Sequence, residues 1–208
     1  MVKIKICGLT SLADALLAAA NGADYLGFNF YPPSPRFVEP RFVRQVLSEL
    51  SAAFQVVPVG VFVNENPEAI RRIVRESGVR MVQLHGDEPP EFCRGLEMPV
   101  IKALRLADAS DAAAAARHNV HALLLDSKTP AFGGSGVRPD WKLAAKICRT
   151  RERVFLAGGL TPENVAAAVA QVRPWGVDVA SGVEREPGVK DPDLIRKFIE
   201  AVHAAASQ

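Results

Sequence analysis

Residues 3–30 read KIKICGLTSLADALLAAANGADYLGFNF, and this stretch contains the pattern that decides the fold. Apolar and charged residues alternate over 3–7, which is typical of a β-strand. A helix-forming stretch follows, with Thr10 as its predicted N-cap and Gly22 as its stop. A second apolar run covers 25–30. The stretch therefore predicts strand, helix and strand, a unit whose two strands pair in parallel.

The same alternation continues along the whole chain. Three further helix starts, at Asn66, Thr161 and Asp191, combine a polar cap with a proline in the next position. Other helices are predicted at 40–50, 89–96, 110–118 and 140–149. Short apolar runs predict eight strands, at 3–7, 25–30, 57–63, 80–85, 99–106, 121–126, 153–157 and 176–180.

Eight strands that alternate with helices fit either an open doubly wound sheet or a closed (β/α)8 barrel. The repeats are of similar size and the first strand lacks a GxGxxG fingerprint, which favours the barrel over the doubly wound sheet. The chain has 208 residues and no obvious linker. We therefore predict an α/β fold in which residues 1–208 form a single TIM-barrel domain.

Composition excludes several classes of function. The net charge is +2, from 25 basic and 23 acidic residues, and no basic run predicts nucleic-acid binding. We find no apolar stretch long enough for a membrane span and no signal-peptide pattern. Three cysteines, far apart and without metal-ligand spacing, are typical of free thiols in the cytoplasm. No metal, redox cofactor or membrane partner is therefore expected.

In such a barrel the active site lies at the carboxyl ends of the strands, and polar residues collect there in this sequence. Cys7 ends the first strand and Asp126 ends the sixth. Arg36 closes a proline-rich loop after the second strand, and His85 follows the fourth. Asp126 alone fits either a loop cap or a catalytic acid, and Cys7 alone fits a small buried side chain. Placed across one opening, however, a thiol and a carboxylate suit proton transfer at two points of one substrate.

Glycines follow the last strands, where this fold commonly binds phosphate through backbone N–H groups. They are Gly158 and Gly159 after the seventh strand and Gly182, beside Ser181, after the eighth. The alternative for any single pair is an ordinary tight turn. Their occurrence at adjacent strand ends favours a phosphate site, to which the cluster 133–136, with Gly134, is added.

Side-chain alternation also predicts one buried contact. Lys5 should point into the barrel as Cys7 does, while Ile4 and Ile6 face the outer helices. A buried ammonium needs a partner, and Asp178 lies on the strand that closes against the first. We therefore predict a Lys5–Asp178 ion pair beneath the substrate.

A set of motifs, in order along the whole chain, resembles the phosphoribosylanthranilate isomerases of tryptophan biosynthesis. The resemblance implies an Amadori rearrangement of N-(5-phosphoribosyl)anthranilate to 1-(2-carboxyphenylamino)-1-deoxyribulose 5-phosphate, without cofactor or metal. It matches Cys7 to the base, Asp126 to the acid and Arg36 to the anthranilate-binding arginine. Independently of the resemblance, His85 and Asp178 are predicted as further substrate contacts, although His85 also fits a general base or a residue that holds its loop. The motifs are KICGLT (5–10), GADYLGFNF (22–30), SPR (34–36), VGVFVN (59–64), QLHGDE (83–88), LLLD (123–126), GGSG (133–136), DW (140–141), LAGGLTPENV (156–165) and GVDVASGVEREPGVKD (176–191).

Three alternatives remain open at this point. The sugar isomerase of histidine biosynthesis shares this fold and chemistry, but its pattern has a carboxylate rather than a thiol at the position of Cys7. An indoleglycerol-phosphate synthase needs a lysine acid in the barrel, for which Lys5 and Lys102 are candidates, but it lacks the KICG and SPR motifs. A non-catalytic sugar-phosphate binding protein would bind without turnover. The sequence leaves a homodimer open as well.

Overall fold

The chain closes into a barrel of eight parallel strands, as the computed structural model shows. The structure describes residues 1–50, 54–106, 113, 115–127 and 139–206. The strand order is β1 to β8 in sequence, and β1 pairs with β8 to complete the ring. The predicted (β/α)8 fold is confirmed. The barrel strands are β1 (Lys3–Cys7), β2 (Tyr25–Asn29), β3 (Val57–Phe62), β4 (Met81–Leu84), β5 (Val100–Leu106), β6 (Ala122–Ser127), β7 (Val154–Leu156) and β8 (Gly176–Val179).

Helices cover the outside of the barrel. Their bounds in the described ranges are α1 (Leu12–Ala20), α2 (Pro40–Leu50), α3 (Pro67–Ser77), α4 (Pro90–Arg94), α5 (Trp141–Cys148), α6 (Val165–Val172) and α7 (Pro192–Ala206). Residues 115–117 are also helical, whereas the rest of the helix predicted at 110–118 falls mostly outside the described residues. Among the helices described, none is long and apolar enough to cross a membrane.

The predicted cap at Asn66 is confirmed, and two others are wrong. Asn66 accepts the Ala69 N–H, and α3 ends at a left-handed Gly78. The N-cap of α1 is Ser11, which accepts the Asp14 N–H. Thr10 instead donates its hydroxyl to the Gly188 carbonyl, a contact far away in sequence that local propensity does not encode.

The helix predicted to start after Thr161 begins later, at Val165. Residues 161–164 form a turn in which the Asn164 side chain accepts the Thr161 N–H. The same amide donates to the Gly159 carbonyl at 2.8 Å. Thr161, Pro162 and Asn164 compete for the start of this helix, and Asn164, which also holds the preceding glycine loop, takes the cap position.

Two apolar cores lie on either side of the sheet. Ile4 and Ile6 point outward into the layer between strands and helices, as predicted. The barrel interior is filled at its base by aromatic rings, with Tyr25 and Phe155 edge to face at 5.3 Å and Trp175 beneath them. Burial of each such ring contributes roughly 1.5–3 kcal/mol. The packed base leaves only the carboxyl end of the barrel for a site.

A small hairpin extends the loop after β8. A 3-10 helix, Ser181–Val183, leads into β9 (Glu184–Glu186) and β10 (Val189–Lys190), which pair antiparallel. The sequence analysis did not predict this hairpin, because strands of two or three residues show no usable alternation. It carries Glu184 and Lys190, two charged residues that bear on the site.

Candidate active site

A cavity of about 210 Å³ opens at the carboxyl ends of the strands. It is lined by the predicted site residues that the structure describes, contributed by six of the eight strands and the loops after them. Gly134 lies outside the described residues. The lining residues predicted from sequence are Cys7, Arg36, His85, Asp126, Gly158, Gly159, Asp178, Ser181 and Gly182.

Cys7 lies above a buried ion pair. Lys5 Nζ donates to Asp178 Oδ1 at 2.7 Å, and the Lys5 side chain is fully buried. Lys5 and Asp178 are register partners on β1 and β8, so the predicted ion pair is confirmed. Burial lowers the pKa of Lys5, but Asp178 and Cys7 outweigh that effect and raise it above its ordinary value.

The Cys7 thiol is partly open to the cavity and surrounded by these charges. A Cβ on Gly27 would come within 2.7 Å of Cys7 Sγ and 3.0 Å of Lys5 Nζ, so the thiol and the ammonium meet over a glycine. Burial raises the pKa of Cys7, and the Lys5 ammonium opposes part of that rise. The thiol is therefore mostly protonated near neutrality, with a cation beside it that favours the thiolate.

Asp126 lines the same cavity as Cys7, from β6, and is buried. Its Oδ1 accepts the Ser127 N–H at 2.7 Å, and its Oδ2 lies 3.2 Å from His85 Nε2. That second contact has the distance of a hydrogen bond, although its angle is poor. Gln83 Nε2 lies 2.9 Å from His85 Nδ1; an amide donor there places the imidazole hydrogen on Nε2, toward Asp126. Gln83 thus orients the His85 ring, whose Nε2 lies close to Asp126.

Arg36 is held at the rim by a carboxylate that the sequence analysis missed. Its Nε and Nη2 donate to the two oxygens of Glu184 at 2.9 and 2.7 Å. The hydrogen bonds that Arg36 donates to Glu184 raise the pKa of Arg36 despite partial burial. The two residues are 148 positions apart, so only the closed barrel brings them together.

The glycine loops after β7 and β8 pack directly on each other. A Cβ on Gly182 would collide with the Leu160 backbone carbonyl. Gly158 and Gly159 have φ values of 82° and 60°, in the left-handed region that glycine tolerates best. The loops therefore expose backbone beside the cavity, with Ser181 starting the short 3-10 helix between them and the hairpin.

Comparison with known proteins decides the family. Residues 4–201 match the family model described as N-(5'-phosphoribosyl)anthranilate (PRA) isomerase. The chain belongs to the phosphoribosylanthranilate isomerase family. It is 47% identical over 209 residues to the N-(5'-phosphoribosyl)anthranilate isomerase of Myxococcus xanthus, covering 96% of this chain and 95% of that protein.

Solved structures of the phosphoribosylanthranilate isomerase family superpose closely on this barrel. The Thermotoga maritima structure has a TM-score of 0.91 at 45% identity and covers 98% of this chain and all of its own. Another isomerase, in complex with reduced 1-(o-carboxyphenylamino)-1-deoxyribulose 5-phosphate, has a TM-score of 0.87 at 42% identity, with 98% and 100% coverage. Membership of this family sets aside the sugar isomerase of histidine biosynthesis and the indoleglycerol-phosphate synthase.

Lys102 and Glu88 form a buried ion pair behind His85, here called the latch, which was not predicted from the sequence. The buried Lys102 points outward from β5, donating to Glu88 Oε2 at 2.6 Å and to the Gly86 carbonyl at 2.8 Å. Glu88 in turn accepts the N–H groups of Gly86 and Asn64. The latch fixes the loop that follows His85. Lys102 is therefore committed to structure on the outer face of the sheet and does not enter the cavity.

In the described ranges, no group of three or more His, Cys, Asp or Glu side chains is arranged to hold a metal ion. The cysteines are free, and Cys93 and Cys148 lie away from the cavity. Burial raises the pKa of Cys148 to about 11, which makes it a poor nucleophile at neutral pH. Of the three thiols, Cys7 is the one that lines the site.

Proposed function

We propose that Cys7 is the general base and Asp126 the general acid with which this isomerase carries out the Amadori rearrangement of N-(5'-phosphoribosyl)anthranilate. The observation that carries the assignment is the placement of this thiol and this carboxylate on β1 and β6, around one cavity. Proton donation and proton removal at two atoms of one sugar require that geometry.

The acid step opens the sugar ring. Asp126 donates its proton to the furanose ring oxygen, the C1–O bond breaks, and the anthranilate nitrogen becomes an iminium. The Ser127 N–H holds the carboxylate in place as it takes on negative charge, and His85 Nε2 lies 3.2 Å from its other oxygen. Hydrogen bonds to the charged form stabilise the ionised carboxylate and so assist the transfer.

The base step moves the hydrogen at C2. The iminium acidifies this C–H, and the Cys7 thiolate removes the proton to leave an enolamine. The enolamine then gains a proton at C1 and loses its hydroxyl proton at C2, which gives the aminoketose. The Lys5 ammonium beside Cys7 stabilises the thiolate form on which this step depends.

The two ends of the substrate are anions, and the site offers a place for each. The phosphate is assigned to the backbone N–H groups of the loops that contain Gly158, Gly159, Ser181 and Gly182, which line the cavity. The anthranilate carboxylate is assigned to Arg36, whose planar guanidinium suits carboxylate oxygens. His85 and Asp178 complete the predicted contacts.

The experiment is turnover of freshly prepared substrate, followed by anthranilate fluorescence, in wild type and two variants. Cys7→Ser replaces the thiol by a hydroxyl that is far too weak a base, and Asp126→Asn removes the acidic proton. Each should lower turnover on the order of 10²–10⁴-fold without unfolding the protein. Cys148→Ser is the matched control and should keep wild-type turnover. A wild-type protein that binds substrate without turnover would instead support the sugar-phosphate binding protein.

We also propose a cytoplasmic homodimer. The isomerase from Thermotoga maritima, whose structure was solved as monomers generated from a dimeric protein, has a TM-score of 0.88 with this chain. Light scattering should then give about twice the chain mass of 22.4 kDa. A mass equal to one chain would contradict the dimer.

A further inference from the structure

One edge of the Arg36 guanidinium, at the rim of the cavity, is hydrogen-bonded to a buried carboxylate. Nε and Nη2 donate in parallel to Glu184, whose side chain is only 3% exposed. Within the described residues, no group accepts a hydrogen bond from Nη1 of Arg36. Since Arg36 lines the cavity, the two hydrogens of Nη1 and the second hydrogen of Nη2 are left for a ligand.

Glu184 has a second cation as a partner. Lys190 Nζ donates to Glu184 Oε1 at 2.8 Å and to the Ala180 carbonyl at 3.0 Å, and its side chain is fully buried. Burial would raise the pKa of Glu184, but the contacts from Arg36 and Lys190 hold it below its ordinary value, so the carboxylate stays charged.

The charges in this cluster do not cancel. An Arg36–Glu184 pair by itself is neutral and would attract an anion only weakly. With Lys190 included, two cations share one carboxylate, and a net positive charge remains beside the cavity. At a largely buried site that charge is weakly screened and favours an anion at the free edge of the guanidinium.

The backbone fixes the cluster from both sides. A Cβ on Gly8, the residue after Cys7, would collide with the side-chain carbons of Arg36, so that side chain lies directly on the loop after β1. Gly188, at the hairpin turn with φ 86°, approaches the carbonyl of Pro35, and Thr10 donates to the Gly188 carbonyl. The hairpin and the two loops therefore hold Arg36 in one orientation.

We propose that Glu184 and Lys190 are positioning residues that make the site specific for a substrate with a carboxylate on its aromatic ring. Glu184 orients Arg36, and Lys190 offsets the charge of Glu184, so that the positive charge of Arg36 remains available to the substrate carboxylate. This inference rests on the proposed function, because it assigns the anthranilate end of the substrate to Arg36.

The test compares two probes that differ only in that carboxylate. One probe is reduced 1-(o-carboxyphenylamino)-1-deoxyribulose 5-phosphate, an analogue of the product. The other is the same molecule with a phenylamino group in place of the o-carboxyphenylamino group. Lys190→Met removes the charge and keeps most of the stem. It should weaken binding of the carboxylated probe by about tenfold or more, which corresponds to about 1.4 kcal/mol. The affinity for the phenylamino probe should change by less than about threefold.

Further variants separate positioning from general damage. Lys190→Arg restores a cation and should recover most of the preference for the carboxylated probe. Lys190→Gln, which can still donate to Glu184 without a charge, makes the same comparison if the methionine variant does not fold. Lys3→Met is the matched control, since Lys3 pairs with Asp24 at the other end of β1 and should leave both affinities unchanged.

The outcomes are distinct. Equal weakening of both probes in the Lys190 variants, or no weakening of either, overturns the inference while leaving the proposed function intact. A wild-type protein that binds both probes equally well also overturns it. A wild-type protein that binds neither probe contradicts the proposed function itself.

Discussion

Lys5 Nζ and Asp178 Oδ1 lie 2.7 Å apart at the junction where β8 closes against β1. The pair forms the polar layer between the aromatic base of the barrel and the cavity, directly beneath Cys7. Two opposite charges in this position serve two purposes, since they satisfy each other without water and place an ammonium beside the thiol. The stability of the barrel and the chemistry of Cys7 therefore depend on the same pair.

Lys5→Met should lower both the stability of the barrel and the turnover that depends on Cys7. Removal of one partner leaves the Asp178 carboxylate buried without its cation, which typically costs about 3–5 kcal/mol of unfolding free energy. Loss of the ammonium beside Cys7 should also lower turnover. Urea unfolding and steady-state kinetics measure the two effects separately.

The double variant Lys5→Met with Asp178→Leu is the control for this prediction. It removes both charges, so stability should return toward wild type, as it does when apolar residues replace buried ion pairs. Turnover should stay low because the ammonium is still missing. Recovery of turnover together with stability would contradict a role for Lys5 beside Cys7.

The pH dependence of the reaction should report Cys7. Because burial raises the pKa of this thiol, the thiolate fraction of the free enzyme keeps growing at alkaline pH. The acid step also needs a proton on Asp126, so the active form has a thiolate at Cys7 and a protonated carboxyl at Asp126. That proton is lost once the pH passes the pKa of Cys7, so we expect kcat/KM to fall only at alkaline pH, past about 8.5, where an ordinary cysteine is half ionised. This range lies above the second pKa of the substrate phosphate, near 6, so the substrate does not contribute.

Cys7→Asp is the variant that checks this assignment. A carboxylate has a reference pKa of about 3.9, so it is a base already at neutral pH. The falling limb of the kcat/KM profile should therefore leave the alkaline range and move to lower pH, whatever the residual rate. Persistence of that limb in Cys7→Asp would show that another group controls it.

Arg36→Lys should weaken substrate binding although it keeps the charge. Lysine cannot reproduce the forked contact with Glu184 or present a planar edge to a second carboxylate. The expected result is a higher KM, by about tenfold for the loss of one charge-assisted hydrogen bond, with a smaller change in kcat. Arg41→Lys, in an exposed pair with Glu76, is a suitable control and should leave KM unchanged. Wild-type KM in Arg36→Lys would contradict the assignment of this arginine to the carboxylate.

The phosphate assignment predicts competition by a simple anion. Inorganic phosphate should inhibit competitively, since it occupies the loops after β7 and β8 without reaching Cys7. A crystal soaked in phosphate should hold the anion against the backbone of Gly159 and Gly182. An anion found elsewhere on the rim, or inhibition that substrate does not relieve, would contradict this placement.

The features that could be predicted from the sequence are those that depend on the periodicity of regular elements and on the alternation of side chains along a strand. Alternation along β1 and β8 was enough to predict the Lys5–Asp178 contact, because barrel closure puts those strands side by side and fixes which faces point inward. The positions of Cys7 and Asp126 at one cavity follow from the same two rules. These features depend on regular elements, whose geometry is repetitive.

Contacts set by loop conformation were not predictable in the same way. The Arg36–Glu184 pair depends on a hairpin whose strands are two and three residues long, too short to show a pattern. The turn at 161–164 has Thr, Pro and Asn as competing cap formers, and the choice of Asn164 depends on its contact with the Gly159 carbonyl. These conformations depend on tertiary contacts, which a local sequence pattern does not encode.

Gly158→Ala should impair catalysis more than its structural cost explains. A Cβ at this position would lie 2.9 Å from Asp126 Oδ1 and 3.0 Å from the Ser127 N, which currently donates to that same oxygen. The acid would have to move, although no catalytic group is deleted. We expect kcat to fall by at least about tenfold, a loss of about 1.4 kcal/mol in transition-state stabilisation.

Gly78→Ala supplies the control, because both glycines have a φ of 82° and so incur the same cost of a left-handed alanine, about 1–2 kcal/mol. At Gly78 the nearest atom to a new Cβ is Leu47 Cδ1, at an ordinary 3.8 Å, and the site is remote. Gly158→Ala should lose more unfolding free energy in urea than Gly78→Ala because of its close contacts, and only Gly158→Ala should lose turnover in the folded protein. Equal turnover in the two variants would show that the position of Asp126 tolerates the displacement, and Asp126 would then be a poor candidate for the general acid.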